Sequence, residues 1–580
     1  MKKWWKYIRP YKLYFILGPL CMIVEVIGEV LMPMFLNLIL KNSALNGPSY
    51  SVLMMGLIIL TALIMMAGGV GGAYFGTKAS VNFASDVRND VYRKVQDFSF
   101  SNVDKYSTAS LVTRLTNDVN QMQNFINMLL RMMLRAPGML IGAIIMALSI
   151  SRSLSTVFLI VIPVMLAVII LIVIKGFPRF GILQKKIDSL NSTVQENITN
   201  VRVVKSFVRE DEENGKFERA NKELKKSGMA AMNIMILMQP IMTMFMYATT
   251  IAVIWVGSKM IISSAGTPGG FDYADLASFI TYVTQILMSL IMTTMVLMMS
   301  SRAMASSRRI KEVLDEDIDI KNLPDVNESL HIESGRVEFK NVTFRYHKTS
   351  NEPVLNNINL TIEAGSTVGI IGSTGCGKTT LVSMIPRLYD ADEGEVLIDG
   401  VNVKDYSLYN LREGVGMVLQ KSILFSGTIE ENLRWGNENA DMDEIYAAAE
   451  NSQADKFVRN FTNGYNTELG QGGVNVSGGQ KQRLCIARTL LKNPKIIILD
   501  DSTSAVDTAT EAQIRRTFTN ELAGSTKIII AQRISSVMDA DKIIVMNDGV
   551  ITGIGTHDEL LRSNQEYLEI YNSQTGKKEA

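Results

Sequence analysis

Apolar residues are concentrated in the first three hundred positions, where they form long runs with almost no charged side chains. A helix needs about 20 apolar residues to cross the hydrocarbon core of a membrane, and it satisfies its own backbone hydrogen bonds there. From Gly335 onward the pattern changes to short β-branched runs, which are typical of a soluble α/β domain. The predicted membrane-spanning helices are six, at about 14–40, 51–76, 125–150, 154–174, 234–263 and 274–299.

The segments between the predicted spans differ in length and charge. Three are short, whereas the segments at 77–124 and 175–233 are long and rich in Lys and Arg. The long segments keep helical periodicity, so we expect them to continue the membrane helices outside the bilayer. Positive charge favours the cytoplasmic side, and six spans place both chain ends on the same side. Both termini are therefore expected in the cytoplasm.

The length of 580 residues is sufficient for two large domains. We predict a transmembrane domain at 1–300, a charged linker at 301–335 and an α/β domain at 336–575. Lys and Arg number 58 against 57 Asp and Glu, so no charge excess points to nucleic acid as a partner. The three cysteines lie far apart and predict neither a disulfide framework nor a zinc site.

A glycine-rich segment follows the predicted strand at 368–371 and precedes an apolar helix. Glycines at this point let backbone N–H groups surround phosphates, and the helix N-terminus adds positive potential. Lys378 is placed to reach the β- and γ-phosphates, and the Thr379 hydroxyl to bind Mg²⁺. The spacing therefore predicts a P-loop that binds ATP and Mg²⁺. Its residues are Gly372, Ser373, Thr374, Gly375, Cys376, Gly377, Lys378, Thr379 and Thr380.

A second apolar strand, predicted at 496–499, ends in Asp500. An acidic residue at the end of such a strand is placed to hold Mg²⁺ through water. Because it follows the P-loop by about 120 residues, Asp500 supports the same nucleotide site.

Between these motifs lies the segment Val476-Ser477-Gly478-Gly479-Gln480-Lys481-Gln482-Arg483. It resembles the signature sequence of ATP-binding cassette (ABC) proteins, in which the serine and the glycine amides clamp a γ-phosphate presented by another subunit. The membrane half resembles the six-helix exporter plan, and 115–119 resembles a recurrent sequence of its first cytoplasmic loop. The resemblance implies an all-α six-helix transmembrane domain followed by an α/β P-loop ABC ATPase domain. It also implies coupling helices near 106–114 and 209–216.

The same resemblance implies roles for further residues of the ATP site. Tyr346 resembles the aromatic residue that stacks on adenine, and Gln420 the glutamine that contacts Mg²⁺ and the membrane domain. The segment Ser504-Ala505-Val506-Asp507 resembles the D-loop. The implied Mg²⁺ ligands are Thr379, Gln420 and Asp500. The implied nucleotide contacts outside the P-loop are Tyr346, Gln420, Ser477, Gly478, Gly479, Gln480 and Asp507.

Two catalytic positions depart from the family pattern. Asp501 follows Asp500 where glutamate is usual, and this shortens the side chain by about 1.5 Å. Gln532 stands where the family has its switch histidine, and an amide cannot exchange protons near neutral pH. The combination resembles the degenerate subunit of heterodimeric multidrug-type exporters, whose partner is a second half-transporter. A slower but working homodimer is the alternative interpretation.

The resemblance implies export of small amphipathic, hydrophobic or cationic molecules across the lipid bilayer of a bacterial cytoplasmic (inner) membrane. A homodimeric exporter of lipids or peptides, and a membrane sensor that binds ATP without transport, remain alternatives. Glu25 and Glu29 lie one turn apart in the first predicted span. Because carboxylates are costly in the bilayer, they are either an acidic spot in the transport pathway or hydrogen-bond acceptors between helices. Methionine stripes in the last two spans favour helix packing over substrate binding.

Overall fold

The computed structural model describes residues 2–264, 270–324, 326–346, 352–502, 506–520, 522 and 524–575. The chain divides into two compact units. The first unit comprises Met1–Gln96 and Ala109–Asp315, and the second comprises Asp97–Thr108 and Glu316–Ala580. Residues 97–108 thus belong to the second unit, although the chain enters the first unit again after them.

The first half of the chain is helical, as the apolar runs predict. Its helices are α1 (Lys2–Ile8), α2 (Lys12–Gln96), α3 (Phe100–Lys105), α4 (Thr108–Thr113), α5 (Val119–Met132), α6 (Arg135–Ile150), α7 (Arg152–Ser155), α8 (Val157–Thr199), α9 (Val201–Ser206), α10 (Glu210–Ser264) and α11 (Tyr273–Asp315).

Six helical stretches in the described part of the chain are long and apolar enough to cross a membrane. They are Lys3–Asn42, Gly47–Gln96, Thr108–Ile150, Arg152–Thr199, Glu210–Ser263 and Tyr273–Val296. The first two are separated at Gly47, whose φ of 75° is a left-handed conformation that a glycine adopts without strain. The stretches extend far beyond the apolar runs, so the helical continuation predicted for the long charged segments is confirmed.

The third span, predicted at 125–150, lies within the helical stretch Thr108–Ile150 and is confirmed. A turn separates α5 from α6 inside it, just before Pro137. Proline lacks an N–H group and its ring collides with the preceding turn, which interrupts the helix there. Short helices lie in or beside the predicted coupling segments: α4 lies within 106–114, and α9 directly precedes 209–216, where the long helix α10 begins. Their coupling role stays a prediction.

The buried Asp118 of the first unit forms an ion pair with Arg309, whose side chain is half-exposed. Asp118 closes a π-helical turn, Arg114–Asp118, that interrupts the helix before α5. Its buried carboxylate accepts hydrogen bonds from Ser306 Oγ at 2.8 Å and from Arg309 Nε at 2.7 Å, both on α11. The 115–119 segment is therefore bonded to α11.

The second unit is an α/β domain. Its strands are β1 (Val337–Phe344), β2 (Leu355–Ile362), β3 (Thr367–Gly372), β4 (Glu393–Ile398), β5 (Val401–Asn402), β6 (Val415–Val418), β7 (Gly427–Thr428), β8 (Glu468–Leu469), β9 (Ile496–Asp500), β10 (Thr526–Ile530), β11 (Lys542–Asn547) and β12 (Val550–Gly555). Its helices after α3 are α12 (Lys378–Ser383), α13 (Leu408–Gly414), α14 (Ile429–Arg434), α15 (Met442–Asn451), α16 (Asp455–Arg459), α17 (Gly478–Leu491), α18 (Thr508–Asn520), α19 (His557–Ser563) and α20 (Gln565–Thr575).

The main sheet has the strand order β12-β11-β3-β10-β9-β6, and all neighbouring pairs except β11 with β12 are parallel. Strand β9 is buried on both faces: Ile496 and Ile498 pack into one apolar core, and Ile497 and Leu499 into another. A continuous apolar run is what a central parallel strand requires. A separate antiparallel sheet has the order β2-β1-β4-β5.

Helix α3 is held to the second unit by polar contacts. Asp319 accepts hydrogen bonds from the hydroxyls of Ser99 and Ser101, each at 2.5 Å. These bonds stabilise the charged form, so the pKa of the Asp319 carboxyl lies below its ordinary value although partial burial acts in the opposite direction. Tyr389 donates to Asp104 at 2.7 Å at the other end of the helix. Helix α3 is therefore an integral part of the second unit.

Candidate nucleotide-binding site

The carboxyl ends of four adjacent parallel strands carry the P-loop, Gln420, Asp500, Asp501 and Gln532, whereas Ser477 begins a separate helix, α17. Strand β3 leads into the P-loop, β9 ends at Asp500, β10 precedes Gln532, and β6 precedes Gln420. Since β3, β10, β9 and β6 are neighbours in the sheet, their loops lie along one edge. In open α/β sheets ligands bind at this edge. The fold thus brings together residues that lie up to about 160 positions apart in the sequence.

The P-loop has the backbone shape that phosphate binding needs. A Cβ atom at Gly372 would lie 2.1 Å from the carbonyl oxygen of Met546, and Gly377 has a φ of 99°, so only glycine fits both positions. Lys378 Nζ donates to the carbonyl oxygens of Gly372 at 2.9 Å and of Ser373 at 2.7 Å. The ammonium group therefore lies over the mouth of the loop.

Thr379 and Asp500 form a hydroxyl–carboxylate pair next to the P-loop. The Thr379 hydroxyl contacts both oxygens of Asp500, at 2.9 and 3.1 Å. Burial raises the pKa of the Asp500 carboxyl, and the charge of Asp501 acts in the same direction, whereas the hydrogen bond from Thr379 and the charge of Lys378 oppose the rise. A cation beside this pair would favour the ionised carboxylate.

Asp501 and Gln532 contact each other directly. Gln532 Nε2 donates to Asp501 Oδ2 at 2.8 Å, and Gln420 also hydrogen-bonds to this carboxylate. Burial raises the pKa of Asp501, while the two amide donors lower it. Asp501 has a φ of 48°, a left-handed conformation that aspartate tolerates better than most residues. The two altered positions therefore form one hydrogen-bonded unit with Gln420.

Tyr346 lies beside the P-loop helix. Its hydroxyl contacts Thr380 Oγ1 at 2.8 Å, and its ring meets Tyr389 edge to face with centroids 5.3 Å apart. The Tyr346 side chain is 46% exposed, which leaves part of the ring accessible.

The signature segment starts helix α17, as predicted. Ser477 is its N-cap: Ser477 Oγ accepts from Gln480 N at 3.3 Å, and Gln480 Oε1 accepts from Ser477 N at 2.8 Å. Gly478 and Gly479 form the first turn, where amide groups are unpaired by the helix itself. Asp507 accepts from Thr510 N at 3.0 Å at the start of α18. Ser504 and Ala505 of the predicted D-loop lie outside the described residues.

Sequence reasoning missed two residues that contact the predicted sites. Gln574, on α20, hydrogen-bonds to the backbone on both sides of Arg533. Arg135 contacts Glu25 at 3.0 Å and Glu29 at 3.3 Å within the membrane unit. An arginine inside an apolar run is itself a signal of a functional or paired site, so Arg135 was detectable. Gln574 could not be detected from the sequence, because polar residues are common at exposed helix ends.

The strand order, the P-loop and the helical membrane unit together define a membrane-embedded ATPase. The family model described as the ABC transporter transmembrane region matches residues 15–290, and the model described as ABC transporter matches residues 355–504. The chain belongs to the ABC transporter family. It is a multi-pass membrane protein whose ATPase domain binds ATP and is coupled to transport, as expected from the signature segment.

Comparison with related proteins narrows the type of ABC transporter to which the chain belongs. The chain is 37% identical over 578 residues to the ABC transporter ATP-binding protein YfiB of Bacillus subtilis (strain 168), covering 100% of this chain and 99% of the relative. It is 32% identical over 498 residues to the ATP-dependent lipid A-core flippase of Syntrophus aciditrophicus (strain SB), covering 84% and 80% of the two chains. The solved structure of a bacterial Atm1-family ABC exporter with ATP bound matches with a TM-score of 0.78 at 25% identity, over 98% and 99% of the chains. The protein is therefore an ABC half-transporter of the exporter type.

Proposed function

We propose that this exporter moves small amphipathic molecules and forms a heterodimer in which this chain carries the degenerate ATP site. The observation that carries the proposal is the Gln532–Asp501 hydrogen bond of 2.8 Å. A short carboxylate and an amide occupy the positions where the family polarises and deprotonates the attacking water. The proposed transmembrane domain at 1–300, linker at 301–335 and nucleotide-binding domain at 336–575 complete this assignment.

In the proposed ATP site, Tyr346 stacks on the adenine and the P-loop amides surround the phosphates. Lys378 exchanges its contacts with the carbonyl oxygens of Gly372 and Ser373 for phosphate oxygens. Gln480 supports Ser477 through the cap, and Asp507 lies at the start of the helix that follows the D-loop.

Thr379, Asp500 and Gln420 are the proposed Mg²⁺ ligands. Their hydroxyl, carboxylate and amide oxygens are the hard donors that Mg²⁺ prefers, and Mg²⁺ takes only one or two carboxylates alongside phosphate oxygens and water. Among the described residues no group of three or more His, Cys, Asp or Glu side chains is arranged to hold a metal by itself. This fits an ion that binds together with the nucleotide. When bound, Mg²⁺ neutralises charge on the phosphates.

Hydrolysis at this chain's own site is expected to be slow. Asp501 is about 1.5 Å shorter than glutamate, and a misplacement of about 1 Å can cost on the order of a hundredfold in rate. Gln532 can donate to a γ-phosphate but cannot take up a proton. The intact signature of this chain, Ser477 with Gly478 and Gly479, would instead complete the site on the P-loop of a second half-transporter.

The exporter architecture also suggests a partner and a location for the chain. The tip between α9 and α10 exposes two neighbouring apolar residues, Phe207 (73%) and Val208 (80%). Exposed apolar tips are typical of contact surfaces, and a second subunit is the proposed partner. The proposed location is a bacterial inner membrane with both termini in the cytoplasm.

Two other functions are supported by specific observations. The similarity to a lipid A-core flippase favours a homodimeric exporter of a lipid as the second candidate. The altered pair Asp501 and Gln532 also fits a membrane sensor that binds ATP without transport. ATP-driven movement of a substrate excludes the sensor, and activity of the chain alone distinguishes the homodimer.

The charged cluster of the membrane unit bears on the substrate class. Arg135 bridges Glu25 and Glu29, so two carboxylates face one guanidinium group. Glu25 is held more closely, at 3.0 Å, and its side chain is 16% exposed, whereas Glu29 is held at 3.3 Å and is 26% exposed. The carboxylate of Glu29 is therefore the more available one for a cationic substrate, and the carboxylate of Glu25 mainly neutralises the charge of Arg135.

We expect inside-out vesicles containing this chain and its partner to accumulate a fluorescent amphiphilic cation when ATP is added. Glu29→Gln is expected to lower that uptake about fivefold, because a partly exposed charge pair contributes up to about 1 kcal/mol. Uptake of an uncharged amphiphile of similar size should be unchanged, since the packing is preserved. Fluorescence quenching in the vesicles measures both.

The controls separate transport from charge selectivity. Lys378→Ala should abolish uptake of both probes by removing nucleotide binding. Absence of ATP-driven movement in the parent complex would contradict export of amphiphiles. Equal loss of both probes in Glu29→Gln would show that the carboxylate has a structural role only.

A further inference from the structure

The side-chain amide of Gln574 bonds to the backbone of the loop that contains Gln532. Gln574 Nε2 donates to the carbonyl oxygen of Gln532 at 2.7 Å. Gln574 Oε1 accepts from the backbone N–H of Ile534 at 2.8 Å. A planar amide that uses its donor and its acceptor on two points of one loop fixes both the position and the direction of that loop.

Helix α20, which carries Gln574, is itself anchored to the sheet. The fully buried Tyr567 contacts His557 Nδ1 through its hydroxyl at 2.7 Å. Glu566 accepts hydrogen bonds from Asn547 Nδ2 at 2.8 Å and from Thr552 Oγ1 at 2.5 Å. The Tyr567 contact joins α20 to α19, and the Glu566 contacts join it to strands β11 and β12. Gln574 therefore reaches the loop from a helix that is held in place at several points.

The contacts of Gln574 lead directly to the altered catalytic pair. Residue Gln532, whose carbonyl oxygen is held by Gln574, donates its side-chain amide to Asp501 at 2.8 Å. A cavity of about 690 Å³ lies beside the loop, and the residues that line it include Asp501, Gln532, Tyr571 and Gln574. The loop therefore has open space beside it.

We propose that Gln574 is a positioning residue that sets the geometry of Gln532 and, through it, of Asp501. The proposal rests on the proposed function in that Gln532 and Asp501 face the γ-phosphate. The backbone bonds hold the Gln532 carbonyl oxygen in place, and this orients the side chain toward Asp501 and the P-loop. Without them the loop can relax into the neighbouring cavity, and the pair loses the alignment that phosphate contact requires.

The test uses Gln574→Glu, which has nearly the same shape. The carboxylate still accepts from Ile534 N–H but faces the Gln532 carbonyl oxygen with an acceptor, so one hydrogen bond becomes a repulsion. We expect ATP hydrolysis at this chain's P-loop to slow about tenfold, as for a misplacement below about 1 Å. The KM for MgATP should stay within about twofold because the P-loop is untouched. Single-turnover hydrolysis by the full complex in nanodiscs, with transporter in excess over ATP, measures the rate. In a heterodimer the partner's P-loop is first disabled by mutation, so that only this chain's P-loop binds ATP.

A double-mutant cycle distinguishes positioning from general stability. In a Gln532→Ala background, Gln574→Glu should have little further effect on the hydrolysis rate, because the residue through which it acts is gone. Gln565→Glu is the matched control: it makes the same change on the same helix, where Gln565 contacts only the neighbouring Glu569 at 3.2 Å among the described contacts. It should hydrolyse ATP at the parent rate.

Three results would overturn the proposal: a parent rate in Gln574→Glu, an equal loss in Gln565→Glu, or full additivity with Gln532→Ala. Should Gln574→Glu fail to fold, Gln574→Met removes both bonds while keeping the side-chain length, and the same cycle applies to it. The cycle measures coupling between two residues in a homodimer or a heterodimer. It therefore succeeds or fails independently of whether the chain needs a partner.

Discussion

Ser477→Ala is expected to reduce the ATPase activity of the complete transporter on the order of a hundredfold, as loss of one preorganised phosphate donor does. Asp501→Asn is expected to reduce the ATPase activity by less than about twofold, because the ATP site that contains Asp501 contributes little to the total turnover. In the proposed heterodimer Ser477 completes the partner's competent site, while Asp501 belongs to the slow one. Steady-state phosphate release by the complex in nanodiscs measures both variants.

The comparison needs a control for helix capping, because Ser477 is also the N-cap of α17. Loss of a serine or threonine cap costs about 1 kcal/mol of stability. Thr556→Ala removes an equivalent capping box, formed by Thr556 and Glu559 at the start of α19. Its ATPase activity should stay near that of the parent. Equal losses in Ser477→Ala and Asp501→Asn would refute the asymmetric assignment.

The combined change Asp501→Glu with Gln532→His is expected to raise hydrolysis at this chain's own site on the order of a hundredfold. Glutamate recovers about 1.5 Å of reach, and a gain of about 1 Å in placement is worth about that factor. Histidine restores a group that exchanges protons near neutral pH. Single-turnover hydrolysis by the complex, with the partner's P-loop disabled by mutation, measures the effect at this chain's own site.

The two single substitutions show which residue is responsible for the increase in hydrolysis rate. Asp501→Glu alone should recover part of the rate, and Gln532→His alone less, because the short carboxylate would still stand away from the water. The backbone at residue 501 has a φ of 48°, which suits aspartate better than glutamate, so a small loss of thermal stability is expected in Asp501→Glu. A double variant that stays as slow as the parent would mean that other residues limit this site.

Much of the fold follows from local signals in the sequence. Uninterrupted apolar runs predict spanning helices because the bilayer leaves the backbone no other partner. The strand before the P-loop and the strand ending at Asp500 are visible as β-branched runs, and both are present as β3 and β9. The P-loop and signature carry their chemistry in consecutive residues, so their helices α12 and α17 begin where predicted.

Features that depend on distant residues escaped prediction. The Arg135 bridge joins residues about 110 positions apart, and the Gln574 contacts join a terminal helix to a loop about 40 positions earlier; no spacing rule connects such pairs. The turn before Pro137 was not predicted, because the residues on both sides of it are strongly apolar. The contacts of α3, including that of Ser99 with Asp319, could not be predicted because the two residues lie about 220 positions apart.

ATPase activity in nanodiscs, of this chain alone and of this chain co-expressed with a half-transporter encoded beside it, tests the asymmetric heterodimer most directly. The asymmetric heterodimer requires that the chain alone hydrolyses ATP slowly and that robust turnover appears only with the partner. Asp501 and Gln532 would then mark a site that binds ATP and regulates the cycle. Robust turnover by the chain alone would contradict the account, because it would mean that an aspartate and a glutamine suffice in a homodimer.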